Sequence, residues 1–220
     1  MYKSTTSAAV LALAAGASAA DYSAWAFGNM FTLGPTTGDA YITKATWSVV
    51  PPAVPTDATD EKSDPPFLSL WIGVSDSISD ENTALVQPLL NWSPDQDSQG
   101  CPASASEWCV DASTYFSFTA TSDKKTTQKV TMNNKVVSQQ EDDAGWLPTY
   151  LYSSNECYQD TCGSVGGYTW SNITITLSAA DKAFGDTLSL TGASGELTTA
   201  DDGKTWTGSV KINADNFPAN

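Results

Sequence analysis

Short runs of alternating apolar and polar residues, divided by turn residues, fill most of the chain. A period of two is the signature of strands with one buried face. The pattern predicts strands near 24–32, 41–50, 67–75, 84–92, 113–121, 128–132, 135–138, 147–152, 168–177, 187–190 and 205–213. Asn133-Asn134 lies between two of them and suits a tight hairpin, because asparagine tolerates a left-handed backbone. A helix is predicted only for SAADKAF, 178–184: Ser178 can cap it, Asp181 sits in the first turn and Gly185 ends it. Many short strands with almost no helix predict an all-β fold, an antiparallel β-sandwich or jelly roll.

The stretch PPAVPTDATDEKSDPP, 51–66, is rich in proline and acid and cannot be a central strand. It reads as a surface loop, because the residues before it are too few to bury a core of their own. Residues 21–220 are therefore expected to form one domain. In TALVQPLLNW, 83–92, a glutamine interrupts an apolar row. Alternation sets Leu85, Gln87, Leu89 and Asn91 on one face, and Ala84, Val86, Pro88, Leu90 and Trp92 on the other. An amide buried without a partner costs roughly 1–3 kcal/mol, so Gln87 must face a groove or solvent.

Composition narrows the chemistry. The first 20 residues combine Lys3, an apolar run from Ala8 to Ala15 and the small residues Ala17-Ser18-Ala19, which together read as a secretory signal. The four cysteines agree with an oxidising compartment. Of three connectivities, the short-range pairs Cys101–Cys109 and Cys157–Cys162 are the simplest, each pinning a local loop. Two sequons, Asn91-Trp92-Ser93 and Asn172-Ile173-Thr174, mark candidate glycosylation sites, with Pro94 weighing against the first. With 25 acidic residues against 10 basic ones, all lysine, the chain lacks the footprint for nucleic acid or an anionic membrane. The absence of histidine removes Ser-His-Asp and Cys-His catalysis and His-ligated zinc, so no metal or cofactor is implied. Chemistry is left to carboxylates, amides, hydroxyls and lysine. Of eight tryptophans, Trp47 and Trp71 are expected in the core; Trp92, Trp108, Trp146 and Trp206 lie near strand ends, where exposure suits stacking on sugars.

Several stretches resemble the eqolisins, the glutamic peptidases. YSAWAFGN, YITKATWSVVPP and LSLWIGVSD are similar to that family's successive early strands, and TALVQPLLNW falls on the strand that carries its catalytic glutamine. The resemblance covers most of residues 22–190. It implies a concanavalin A-like sandwich with a groove in which Gln87 holds a water and stabilises an oxyanion. The partner glutamate should follow a cysteine, in GSVGGYTWSNITITL, 163–177. Aligned on Trp170, its place falls on Ile173, with Asn172 and Thr174 beside it, and none of these transfers a proton at acid pH.

The reading that follows is a secreted, extracellular, monomeric protein of fungal type that has lost the peptidase acid. It is expected to act as a binding module on cell-wall polysaccharide or an extracellular protein, with Gln87, Trp92 and Trp170 lining the groove. Two alternatives remain: an acid endopeptidase that pairs Gln87 with a relocated carboxylate such as Glu156 or Asp160, and a carbohydrate-active enzyme with two facing acids.

Overall fold

The computed structural model describes residues 24–59, 65–80, 83, 85–109 and 114–217. The expected signal segment lies outside them. Alternation along the chain builds two antiparallel sheets. Strands β1 (Trp25–Leu33), β3 (Phe67–Ser75), β4 (Leu89–Trp92), β8 (Tyr150–Tyr158) and β11 (Ser189–Thr191) form a five-stranded sheet in the order β11-β1-β8-β3-β4. The other sheet uses β2 (Ile42–Val49), β5 (Thr114–Ala120), β6 (Lys125–Met132), β7 (Lys135–Asp143), β10 (Tyr168–Leu177), β12 (Ala193–Thr199) and β13 (Thr205–Ile212). Its order is β12-β13-β10-β2-β5-β6-β7. β9 (Gly163–Val165) and β14 (Asp215–Phe217) pair as a small separate ribbon. The fold is an all-β sandwich.

Between the sheets, Leu68, Leu70 and Ile72 of β3 share one buried cluster with Trp47 of β2 and Trp170, Ile173 and Ile175 of β10. Apolar side chains at every second position drive this layer, since alternate residues of each strand turn to the space between the sheets. The outer face of the seven-stranded sheet is hydroxylic. Register places Thr198, Thr207, Thr174, Thr46, Ser117 and Lys129 in one row across six strands.

Cys101–Cys109 and Cys157–Cys162 are bonded, with Cα atoms 5.9 and 6.0 Å apart. Three expectations about the elements change. The expected helix at 178–184 is instead a turn that leads into a short 3-10 segment, Phe184–Thr187. Tertiary partners take its capping groups: Ser178 Oγ accepts from the Tyr41 N–H at 3.0 Å, and Asp181, 4% exposed, accepts from Thr37 N–H at 2.7 Å. β4 begins only at Leu89, because Pro88 has no N–H to give the ladder, with one isolated bridge, Val74↔Val86, before it. β8 runs to Tyr158, well past the expected end at 152.

The extension of β8 has a physical cause. Ser153 and Asn155 are polar residues on the core side, and their polarity reads as loop. Both are satisfied by hydrogen bonds: Trp170 Nε1 donates to Ser153 Oγ at 3.0 Å, and the Tyr168 hydroxyl donates to Asn155 Oδ1 at 2.7 Å. Asn155 Nδ2 in turn donates to Asp215, which also accepts from the Asn29 N–H at 2.9 Å. A buried polar chain of this kind is tolerated when each member has a partner.

Candidate binding face

The outer face of the five-stranded sheet is built from alternate residues of β1, β8, β3 and β4. Its register gives four rows. At one end Trp25, Tyr158 and Phe67 lie side by side, with Trp25 edge-on to Phe67 at 5.2 Å and Phe67 stacked on Tyr158 at 5.1 Å. Next come Phe27, Glu156, Ser69 and Asn91, then Met30, Ser154, Trp71 and Leu89. In the last row Thr32, Tyr152, Gly73 and Gln87 are aligned. Gln87 belongs there because the register from Trp71↔Leu89 to Val74↔Val86 is unbroken.

Glu156 carries the only charge in this sheet, since no other Asp, Glu, Lys or Arg occurs in its five strands. Its Oε2 accepts from Trp71 Nε1 at 3.0 Å. Burial raises the carboxyl pKa to about 7, and the Trp71 N–H pulls the other way without cancelling it. Glu156 is therefore a neutral acid in mildly acidic solution and an anion in alkaline solution. Trp71 also meets Tyr152 edge-on at 5.5 Å and is 3% exposed although it points away from the core. The middle of the face is thus shielded, while Phe27, 48% exposed, stands open.

Gln87 does lie on this face. Its Oε1 is buried and has no hydrogen-bond partner. Glu156 is level with Ser69, whereas Gln87 is level with Gly73, four residues further along β3. At about 3.3 Å per residue, that offset is roughly 13 Å along the strand, on top of two strand spacings across it. One water cannot bridge such a gap. Tyr152 is the β8 residue level with Gln87, and it carries no acid.

Five expected positions are corrected. Ile173, the place expected for the glutamate, is 1% exposed on β10, in the opposite sheet and facing the core. The strand that neighbours β3 is β8, whose polar core side concealed it. Trp170 is fully buried and Trp92 is 4% exposed, both in the core cluster, so neither lines a groove. Trp92 fills the core side of β4, and its Nε1 donates to Ala105 O at 2.8 Å. Trp108 and Trp206, expected near the surface, are also buried; Trp146 is half-buried. Asn91 accepts from Ser69 Oγ at 2.7 Å, and Asn172 is exposed on β10. Among the described residues no group of three or more His, Cys, Asp or Glu could hold a metal ion, and no helix is long and apolar enough to cross a membrane.

Gly73 supplies the room that Gln87 occupies. A Cβ added there would lie 2.5 Å from Leu85 Cδ1 and 3.1 Å from Gln87 Cβ. The leucine tip can swing aside, but the glutamine Cβ moves only with its backbone. Gly73→Ala is expected to cost about 1–2 kcal/mol, by overpacking, and to displace Gln87. Urea unfolding, with the Gln87 side-chain amide resonances as a local probe, checks both effects.

No family model matches the chain, and no curated protein matches it. Solved structures similar to it include two that each cover 83% of this chain and 96% of the other, at a TM-score of 0.44. The first is Scytalido-glutamic peptidase with a peptide-based transition-state analogue, at 11% identity. The second is SCP-B, a member of the eqolisin family of peptidases, in a complex with the tripeptide Ala-Ile-His, at 12% identity. They represent the family that the sequence motifs resemble. The likeness is one of fold.

Proposed function

We propose that the protein is a secreted binding module whose five-stranded outer face takes an extended, uncharged glycan. The observation that supports this most is the charge pattern of that face. One acid, protonated below about pH 7, sits among aromatic rings, hydroxyls and amides. Rings stack on the apolar faces of sugars, and amides and hydroxyls exchange hydrogen bonds with their hydroxyls. The rows from Phe67 to Gly73 span about 20 Å at 3.3 Å per residue. Ser69, Trp71 and Ser154 in the middle are 2–4% exposed, so contact falls to Phe27 and to the half-buried rings of Trp25, Phe67 and Tyr158. A second carboxylate facing Glu156, which glycoside hydrolysis of the usual kind requires, is missing from these strands. The offset between Gln87 and Glu156 speaks against a shared catalytic water.

Affinity electrophoresis against neutral polysaccharides (β-glucan, mannan and xylan) tests the reading. Retardation by one of them at pH 5 is expected, weakened at least tenfold by Gln87→Ala and by Phe27→Ala. It should weaken again at pH 8.5, where Glu156 ionises and the face acquires a charge. No retardation by any of the three at either pH sinks the proposal. One observation favours a second reading: a carboxyl held near 7 is tuned as a general acid or base is tuned. Cleavage of a denatured protein at pH 3–4, abolished in Gln87→Ala, would replace the binding module by an acid peptidase.

A further inference from the structure

We propose that Asn172 carries an N-linked glycan and that Asn91 does not, so that the seven-stranded sheet is the glycosylated side of the sandwich. Both tripeptides satisfy the sequon rule, Asn91-Trp92-Ser93 with a serine and Asn172-Ile173-Thr174 with a threonine, and their surroundings separate them further. Asn172 lies at a bulge of β10, where the register shifts on both flanking ladders between residues 170 or 171 and residues 173 or 174. Its φ of 54° is left-handed, a conformation asparagine adopts more readily than other non-glycine residues. The bulge breaks the alternation: Trp170 and Ile173 still point into the core, and Asn172 is exposed. Around it the outer face holds Ser171, Ser48 and Ser209, and the hydroxyl row through Thr174 and Thr207. A sugar attached there meets hydroxyls and water and displaces no packed side chain.

Asn91 is placed in the opposite way. Its Oδ1 accepts from Ser69 Oγ at 2.7 Å, in the row of Glu156. Its carbonyl accepts from the Cys109 N–H at 2.9 Å, which lays the disulfide loop against it. The sequon serine, Ser93, is fully buried, and its hydroxyl donates to Pro66 O at 2.8 Å. A chain modified at Asn91 would have to fold with those bonds displaced and a sugar lying on the five-stranded face. Pro94 directly follows Ser93 and holds that segment away from the turn that an acceptor sequon adopts.

The reaction is the transfer of an oligosaccharide from a polyprenyl pyrophosphate in a eukaryotic secretory route. The Asn172 Nδ2 forms a bond to the anomeric carbon, the bond from that carbon to the pyrophosphate oxygen breaks, and the pyrophosphate leaves with the electron pair. The amide nitrogen gives up one proton, which solvent takes up. This inference stands whatever the five-stranded face binds.

The test is intact-mass spectrometry of the full chain secreted by a eukaryotic host, before and after enzymatic removal of N-glycans in heavy-oxygen water. The expected result is a single labelled aspartate at position 172. Thr174→Val should abolish the glycan, and Thr174→Ser should keep it because the sequon survives. Asn91→Gln should leave the mass of the glycan unchanged. These substitutions separate the modification from folding, since Thr174→Ser and Thr174→Val disturb the strand to a similar degree. A label at position 91, or secreted protein with no glycan at either asparagine, overturns the inference.

Discussion

Trp170→Ala is expected to lower the folding stability by about 3–5 kcal/mol, the cost of emptying a large aromatic site in a packed core. The side chain is fully buried, meets Tyr168 edge-on at 5.5 Å and donates from Nε1 to Ser153 Oγ at 3.0 Å. Removing it opens a cavity between the sheets and takes the donor from a buried serine of β8. Since domains of this size retain only about 5–15 kcal/mol in total, the loss should show as a large shift of the urea midpoint. Trp170→Phe keeps most of the ring volume and loses the N–H, so it should cost about 1–3 kcal/mol through the unpaired serine. Equal stability for the wild type and Trp170→Ala, together with weakened glycan binding, would put Trp170 on a binding surface and contradict its place in the core.

Glu156→Gln is expected to remove a pH dependence of stability. The carboxyl has a pKa of about 7 in the folded protein, raised by burial from an ordinary value of 4.5 in the unfolded chain. Between these values the folded state binds more protons than the unfolded state, so stability falls as pH rises through the window. The full effect is about 3 kcal/mol, at roughly 1.4 kcal/mol for each pH unit that separates the two values. Stability from this group is intact below pH 4.5 and lost above about pH 7. Glutamine keeps an oxygen for the Trp71 N–H and never ionises. Urea unfolding at pH 4.5 and pH 8 should therefore differ less in Glu156→Gln than in the wild type by about that amount. An identical pH difference in both proteins would mean that Glu156 is solvated and ordinary. The acids elsewhere on the chain titrate in both proteins and cancel in the comparison.

Much of the sandwich was legible in the chain because its strands advertise a period of two. LSLWIGVS within β3 alternates so plainly that its expected bounds, 67–75, are the ones the structure has, and YTWSNITITL of β10 keeps its expected bounds, 168–177, although a bulge at Asn172 breaks its alternation. The disulfides were legible too, since each joins cysteines a few residues apart in sequence, separated by 8 and 5 positions. Gln87 could be assigned to the face opposite Leu90 and Trp92 by alternation alone.

The local pattern failed wherever a distant partner reversed its meaning. Ser153 and Asn155 look like a loop because burying them is costly, and that cost is met by Trp170 and Tyr168 from the opposite sheet and by Asp215 near the end of the chain. Without those partners in view, β8 ends too early and Glu156 appears to flank a cysteine loop. With them, Glu156 lies in a central strand beside Trp71. Strand β12 escaped notice for the opposite reason: it is an edge strand, mostly exposed, and has no buried face to alternate with. Sequence by itself determined the class of fold, the short-range disulfides and the face on which Gln87 lies, because each depends on neighbours along the chain. Only the tertiary structure decided which strands became neighbours. It thereby put Ile173 in the core and set one half-buried acid, Glu156, beside Trp71, since strand order and register depend on hydrogen bonds and packing between residues far apart in sequence.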